Sequence, residues 1–176
     1  AVYRMLFPLP FDFDPSAGPV ILGGDTWCPF NSQNTTFFKK IFALLYLPAH
    51  CSFRMTDIWR SFVAQRILHH LDHPVLFHGC TVWQERNDHS LHKDFCDEVS
   101  GYVNNHEIRQ ALTALDFGTT TDIPLLLEQS YQCLMSNGWV GKEEEILLKT
   151  WLSDLAAWHR FPAVCCGRRH AAACCA

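Results

Sequence analysis

The sequence predicts an α/β domain continued by a helical C-terminal extension. Three observations carry this. Short apolar runs punctuated by proline and glycine alternate with helix-period segments over residues 1–115. Two long segments with clear helix start and stop signals then fill residues 116–162. Finally, 176 residues with 48% apolar and 18% charged side chains can bury one sizeable core.

In chain order, "VYRMLF" and "PVILGG" predict short strands, each next to proline or glycine punctuation. "TTFFKKIFALLYL" predicts a buried helix, capped by Asn34 or Thr35 and stopped by Pro48. "CSFRM" reads as briefly extended. Thr56 is then the expected N-cap of a helix over "DIWRSFVAQRILHHL", with Trp59, Phe62, Val63 and Ile67 at helical spacing before Pro74 ends the pattern.

"PVLFHGCTVW" is β-rich. "HSLHKDFCDEVSGYV" places Leu91, Phe95, Val99, Tyr102 and Val103 on one helical face, the expected core side. "DIPLLLEQSYQCLMSNG" has Asp122 as cap, Pro124 in the first turn and Gly138 as stop. "KEEEILLKTWLSDLAAW" opens with acids suited to the positive end of its dipole. The closing "CCGRRHAAACCA" lacks periodicity, and residues 163–176 are expected to be a disordered tail.

A net charge of −4 and a pI near 6.2 give no electrostatic basis for nucleic-acid binding. No apolar run approaches the roughly 18 residues that span a bilayer. The chain starts at Ala1 without a signal-peptide pattern and reads as an excised piece, with any targeting segment outside it. Nine cysteines cannot all pair internally, and the five scattered singly read as small buried apolar residues.

The unusual segment is "FRMTDIWRSFVAQRI", which carries Arg54, Asp57, Arg60 and Arg66 among apolar residues. Asp57 in a first helical turn has two readings. It can complement the helix dipole and reach Arg60 one turn on. It can also present a carboxylate at a cleft edge, as the base that takes a proton from an attacking hydroxyl, with Arg54 and Arg60 as anion clamps. The amides of Asn31, Gln33 and Asn34 suit sugar hydroxyls and suit a turn equally. Asn34 also opens an Asn-Thr-Thr sequon, where a capping role is the expectation.

Residues 31–66 carry "NSQNT", a helical stretch ending "LLYLP", and "FRMTDIWRSFVAQR". Farther on, Gln84, Arg86, Asn87, His89, Asp94, Phe95 and Glu98 follow the pattern Q-x-R-N-x-H-x-x-x-x-D-F-x-x-E. These motifs resemble the STELLO-type glycosyltransferases over roughly the first hundred residues. The later helices resemble them weakly and the cysteine tail does not.

The resemblance implies a GT-A-like fold, a Rossmann-related mixed sheet with helices that holds a nucleotide-sugar. Residues 1–115 would be its acceptor-side half and residues 116–162 the helical extension. It implies transfer of a sugar from a nucleotide-sugar to an acceptor hydroxyl, with Asp57 as the catalytic base and Arg54, Arg60, Asn31, Gln33, Asn34 and Asn87 binding substrate. A direct, inverting displacement follows if Asp57 is the base. Members are commonly Golgi type II membrane proteins, and those of plants associate with cellulose synthesis. Golgi residence and a glycan-synthase complex are therefore expected, and a non-catalytic scaffold in such a complex is the alternative.

GT-A enzymes also use a divalent cation, Mn²⁺ or Mg²⁺, usually on an Asp-x-Asp pair. Asp12 and Asp14 in "FDFD" have that spacing but lie in a proline-rich stretch, and are read as loop residues. In the resembling proteins an acidic run precedes the segment similar to "AVYRMLFPLPF", so the resemblance implies a chain truncated just after it. His89 is the expected metal ligand. His69, His70 and His73 are read as a helix end near the negative dipole rather than as a zinc site.

Overall fold

The computed structural model describes residues 2–7, 14, 16–24, 26–85, 88 and 90–160. Among the described residues five α-helices dominate: α1 (Val2–Leu6), α2 (Thr56–His70), α3 (Leu91–Thr113), α4 (Ile123–Ser136) and α5 (Glu144–Arg160). The sheet among the described residues is a two-stranded antiparallel ribbon. Its strands β1 (Val20–Leu22) and β2 (Val75–Phe77) pair Val20 with Phe77 and Leu22 with Val75.

The centre is α2. Trp59, Phe62, Val63 and Ile67 are buried, as the periodicity predicts, but so are Arg60, Ser61, Ala64, Gln65 and Leu68. A helix buried nearly all round has no solvent stripe, so its polar residues must find partners inside the protein. Against α2 pack Ile108 and Leu112 of α3, and Leu126, Leu127, Tyr131 and Leu134 of α4, in one continuous core that also takes in Leu148 of α5.

Arginines hold α3 beside α2 at both ends. Arg54 pairs with Asp94 in the first turn of α3. Arg66 Nε donates to the Leu112 carbonyl at 2.8 Å, and its terminal nitrogen donates to the Leu115 carbonyl at 2.6 Å. The cation thus sits at the carbonyl end of the helix, where the dipole favours it, with its guanidinium carbon 4.3 Å from the Phe117 ring centroid. Between them, Trp59 Nε1 donates to Asn105 Oδ1 at 2.9 Å.

Several expectations change. Val2–Leu6 is helical rather than a strand, because a short apolar run does not distinguish the two until it has a neighbour, here α3. The segment predicted as a buried helix is a kinked 3₁₀ helix, Lys39–Leu45, with a break at Ile41. Leu44 is its buried residue, and its N-cap is Phe38 rather than Asn34 or Thr35. Phe53–Met55 is a 3₁₀ turn running into α2 rather than extended chain. Thr56 is therefore already helical, and its hydroxyl bonds back to the Phe53 carbonyl at 3.1 Å instead of capping.

On α3 the expected core face is the wrong one. Phe95, Val99, Tyr102 and Val103 are exposed, whereas Gly101, Ile108 and Leu112 are buried. Gly101 has no side chain, and Met55 occupies the space that a Cβ would need. A bare backbone is invisible to a count of apolar residues, yet it is where α3 takes Met55 of the 3₁₀ turn before α2.

The α4 signals hold: Asp122 is the N-cap, Pro124 lies in the first turn, and Gly138 follows the last turn at φ 74°. The acids of α5 divide their work. Glu145 takes Lys149 at 2.6 Å on the surface. Glu144 is fully buried and accepts the Tyr46 hydroxyl and the backbone N–H of Ala49 (3.0 Å) and His50 (2.8 Å). Among the described residues no helix is long and apolar enough to cross a membrane. Residues 163–176 lie outside the described residues.

Candidate functional site

The polar stripe of α2 receives a single stretch of chain. Cys28 N–H donates to Gln65 Oε1 at 2.9 Å, Phe30 N–H to Ser61 Oγ at 3.1 Å, and Ser32 N–H to Asp57 Oδ2 at 3.0 Å. Alternate backbone donors therefore meet acceptors one helical turn apart, with the segment antiparallel to the helix. The match is metric: one step of four residues along a helix rises about 6 Å, and two residues of extended chain cover about 6.6 Å. Pro29, which has no N–H to offer, falls between two rungs.

The last rung carries the candidate chemistry. Asp57 holds the Ser32 N–H, and Arg60 donates to Ser32 Oγ at 3.1 Å. Ser32 belongs to a turn in which Asn31 Oδ1 accepts the Gln33 N–H at 3.1 Å and Asn31 Nδ2 donates to Gln33 Oε1 at 3.0 Å. Thr35 Oγ1 closes it onto the Asn31 carbonyl at 2.9 Å. Asn34 is at φ 51° and accepts from Thr81 Oγ1 at 2.9 Å. The turn reading of the amides holds for Asn31 and Gln33, which build the turn with their own side chains.

Arg60 is only 2% exposed. Its guanidinium carbon lies 5.3 Å from the Phe30 ring centroid and 4.9 Å from that of Phe37. Its Nε is buried without a hydrogen-bond partner among the described residues. Burial pulls its pKa below the usual guanidinium value, and the neighbouring Asp57 charge opposes this. Asp57 Oδ1 makes no hydrogen bond among the described residues, which leaves one carboxylate oxygen for an incoming donor.

The structure thus brings Asp57, Arg60, Asn31, Gln33 and Asn34 to one edge and separates Arg54, whose guanidinium is taken by Asp94. That pair ties the 3₁₀ turn before α2 to the first turn of α3. Asn87 and His89 lie outside the described residues, as does Asp12. Asp14 is a loop residue, as expected: its Oδ1 accepts the N–H and hydroxyl of Ser16 at 2.8 and 2.6 Å. Among the described residues no group of three or more His, Cys, Asp or Glu side chains could hold a metal ion.

His70 Nε2 lies 2.8 Å from the Thr120 carbonyl, and His69 stands edge-on to Trp27 at 5.1 Å. The first is a hydrogen bond and the second a ring contact, both at the end of α2. A groove of about 690 Å³ runs elsewhere, lined by Leu115, Leu125, Gln132, Cys133 and Leu148 among others, and includes none of the Asp57 cluster.

Ser32, Ser61 and Gln65 were not singled out from sequence. The signal available was the spacing Asp57, Ser61, Gln65, a polar residue at every fourth position of a helix whose flanks are apolar. Compared with known families, residues 54–171 match the model of the STELLO glycosyltransferases. The match begins at Arg54, so the "NSQNT" turn precedes it, and it extends through α4 and α5, farther than the quoted motifs reach. No curated protein matches the chain.

Proposed function

Because the chain belongs to the STELLO glycosyltransferase family, we propose that it transfers a sugar from a nucleotide-sugar donor to an acceptor hydroxyl at the edge where Asp57 and Arg60 meet the Asn31–Asn34 turn. The observation that supports this reading is the divided carboxylate of Asp57. Oδ2 is fixed by Ser32, so the group has one orientation, and Oδ1 is left to accept an acceptor hydroxyl proton as its oxygen attacks the anomeric carbon. Displacement from the face opposite the leaving group inverts that carbon.

In this reading the Arg60 charge and the Gln33 amide orient anionic or hydroxyl groups of the substrates, as does Asn87. Asn34 belongs to the same set through its Nδ2, since its Oδ1 is already bonded to Thr81. We take the helices here as the acceptor-side part of a GT-A-like fold with Golgi residence. A divalent cation, Mn²⁺ or Mg²⁺, belongs to the same proposal with His89 as its ligand. Its remaining ligands are not among the described residues, which hold no group of three or more His, Cys, Asp or Glu side chains able to bind a metal ion.

The test is Asp57→Asn, which retains an oxygen to hold the Ser32 N–H and removes the base. Loss of turnover by about 100-fold or more, with donor affinity and melting temperature unchanged, supports the assignment. Unchanged turnover overturns it. One observation favours the second reading, a non-catalytic scaffold in a glycan-synthase complex: the whole Asp57–Ser61–Gln65 stripe already serves to dock the chain at residues 28–32. That reading predicts partner capture without nucleotide-sugar binding.

A further inference from the structure

Asn34-Thr35-Thr36 satisfies the Asn-x-Ser/Thr acceptor pattern with no proline at the middle position. The expectation that Asn34 caps a helix is removed by the fold, since the next helix begins at Lys39 with Phe38 as its N-cap and no side-chain cap bond. Asn34 instead occupies an exposed turn in the left-handed region, which asparagine tolerates better than most residues. Thr36 is exposed too, and its hydroxyl makes no hydrogen bond among the described residues.

The two ends of the Asn34 amide are used differently. Oδ1 accepts from Thr81 Oγ1, which orients the group, whereas Nδ2 makes no hydrogen bond among the described residues. We propose that Asn34 is an N-linked glycosylation site. In the transfer, Nδ2 becomes bonded to C1 of the reducing-end sugar of a lipid-pyrophosphate-linked oligosaccharide. The bond from C1 to the phosphate oxygen breaks, the lipid pyrophosphate leaves, and one Nδ2 proton passes to a base of the transferring enzyme.

The product keeps its carbonyl oxygen and one N–H, so the Thr81 bond survives modification. Neither Asp57 nor Arg60 bonds Asn34, so the ladder on α2 is untouched. The glycan would emerge close in sequence to the exposed Phe38, 75% accessible, and across the Thr81 bond from the loop after β2 that leads to Trp83, 84% accessible. A flexible, hydrophilic chain there screens apolar surface from other molecules.

This inference rests on the lumenal residence in the proposed function, and the experiment separates the two. The protein carrying this chain is isolated from cells that express it. Its Asn34 peptide is examined by mass spectrometry after N-glycanase treatment in ¹⁸O water, in parallel with protease protection of sealed vesicles. The expected result is a protease-protected chain whose Asn34 converts to ¹⁸O-labelled aspartate. The matching gel-mobility shift is lost in Asn34→Gln and Thr36→Ala and retained in Thr36→Ser. A protected chain with unmodified Asn34 overturns the site and leaves lumenal residence standing, whereas a chain digested without detergent overturns both.

Discussion

Tyr46 donates its hydroxyl to Glu144 inside the core, joining the end of the first 3₁₀ segment to the first turn of α5. The same carboxylate takes the N–H groups of Ala49 and His50, so one buried anion is solvated by three donors of a single loop. Such a group is tolerable in an interior only while its donors remain.

Glu144→Ala should therefore cost about 3–5 kcal/mol, since it strands three donors at once and leaves a void. Tyr46→Phe should cost less, about 1–2 kcal/mol, because the two backbone donors still solvate the charge. Urea unfolding of both variants checks the order. Equal losses would show that the hydroxyl, rather than the loop backbone, does the solvating.

Cys51 lies beside this group, and burial, followed by the Glu144 charge, pushes its thiol up to about 12. At pH 8 it should react with iodoacetamide at least about 100-fold more slowly than the exposed Cys80 and Cys96. Mass spectrometry of the folded and the urea-treated chain reads this directly. The linkage sign follows, for this is an acid whose folded pKa is raised. Its stabilisation is full below the ordinary thiol value near 9 and is lost as pH rises from there to about 12. Tyr46 and Tyr131 are raised in the same direction by burial, so the alkaline loss should steepen above pH 10.

Gln65 is the innermost rung of the α2 ladder. Replacement by leucine keeps the volume but strands the Cys28 N–H, and should cost about 1–3 kcal/mol. Hydrogen exchange should show the loss concentrated at the Cys28 and Phe30 amides. A uniform loss across α2 would mean that the helix, and not its docked segment, depends on this side chain.

At Gly101 an added Cβ would overlap the buried Met55 thioether. Gly101→Ala should destabilise by about 1–3 kcal/mol through overpacking. The double variant with Met55→Ala should recover part of that, since removing the thioether reopens the space. A double-mutant cycle with no coupling would place the clash elsewhere.

Much of the helical framework was legible in local signals. Asp122, Pro124 and Gly138 bracket α4 by their own chemistry, and the spacing of Trp59, Val63 and Ile67 marks the inner face of α2. The candidate site was legible in part. Asp57, Arg60 and the amides at 31–34 were flagged by residue type, whereas Ser32, through which they meet, was not. Its two bonds run to side chains far along the chain, and a serine in a polar turn carries no local mark of that. The Arg54–Asp94 pair was equally invisible, because it joins residues forty positions apart on different elements.

By itself the sequence determined the helical character of α2 to α5, the cap and stop of α4, and the residue types able to carry sugar chemistry, because propensity, capping and period act within a few residues. Tertiary packing decided which apolar face of α3 was buried, whether the 39–45 segment formed a full helix, and which atoms of Asp57 and Arg60 were already engaged. Those outcomes depend on which surfaces meet. Two faces of similar hydrophobicity differ in free energy only when one finds a partner, and the partner is chosen by the whole chain.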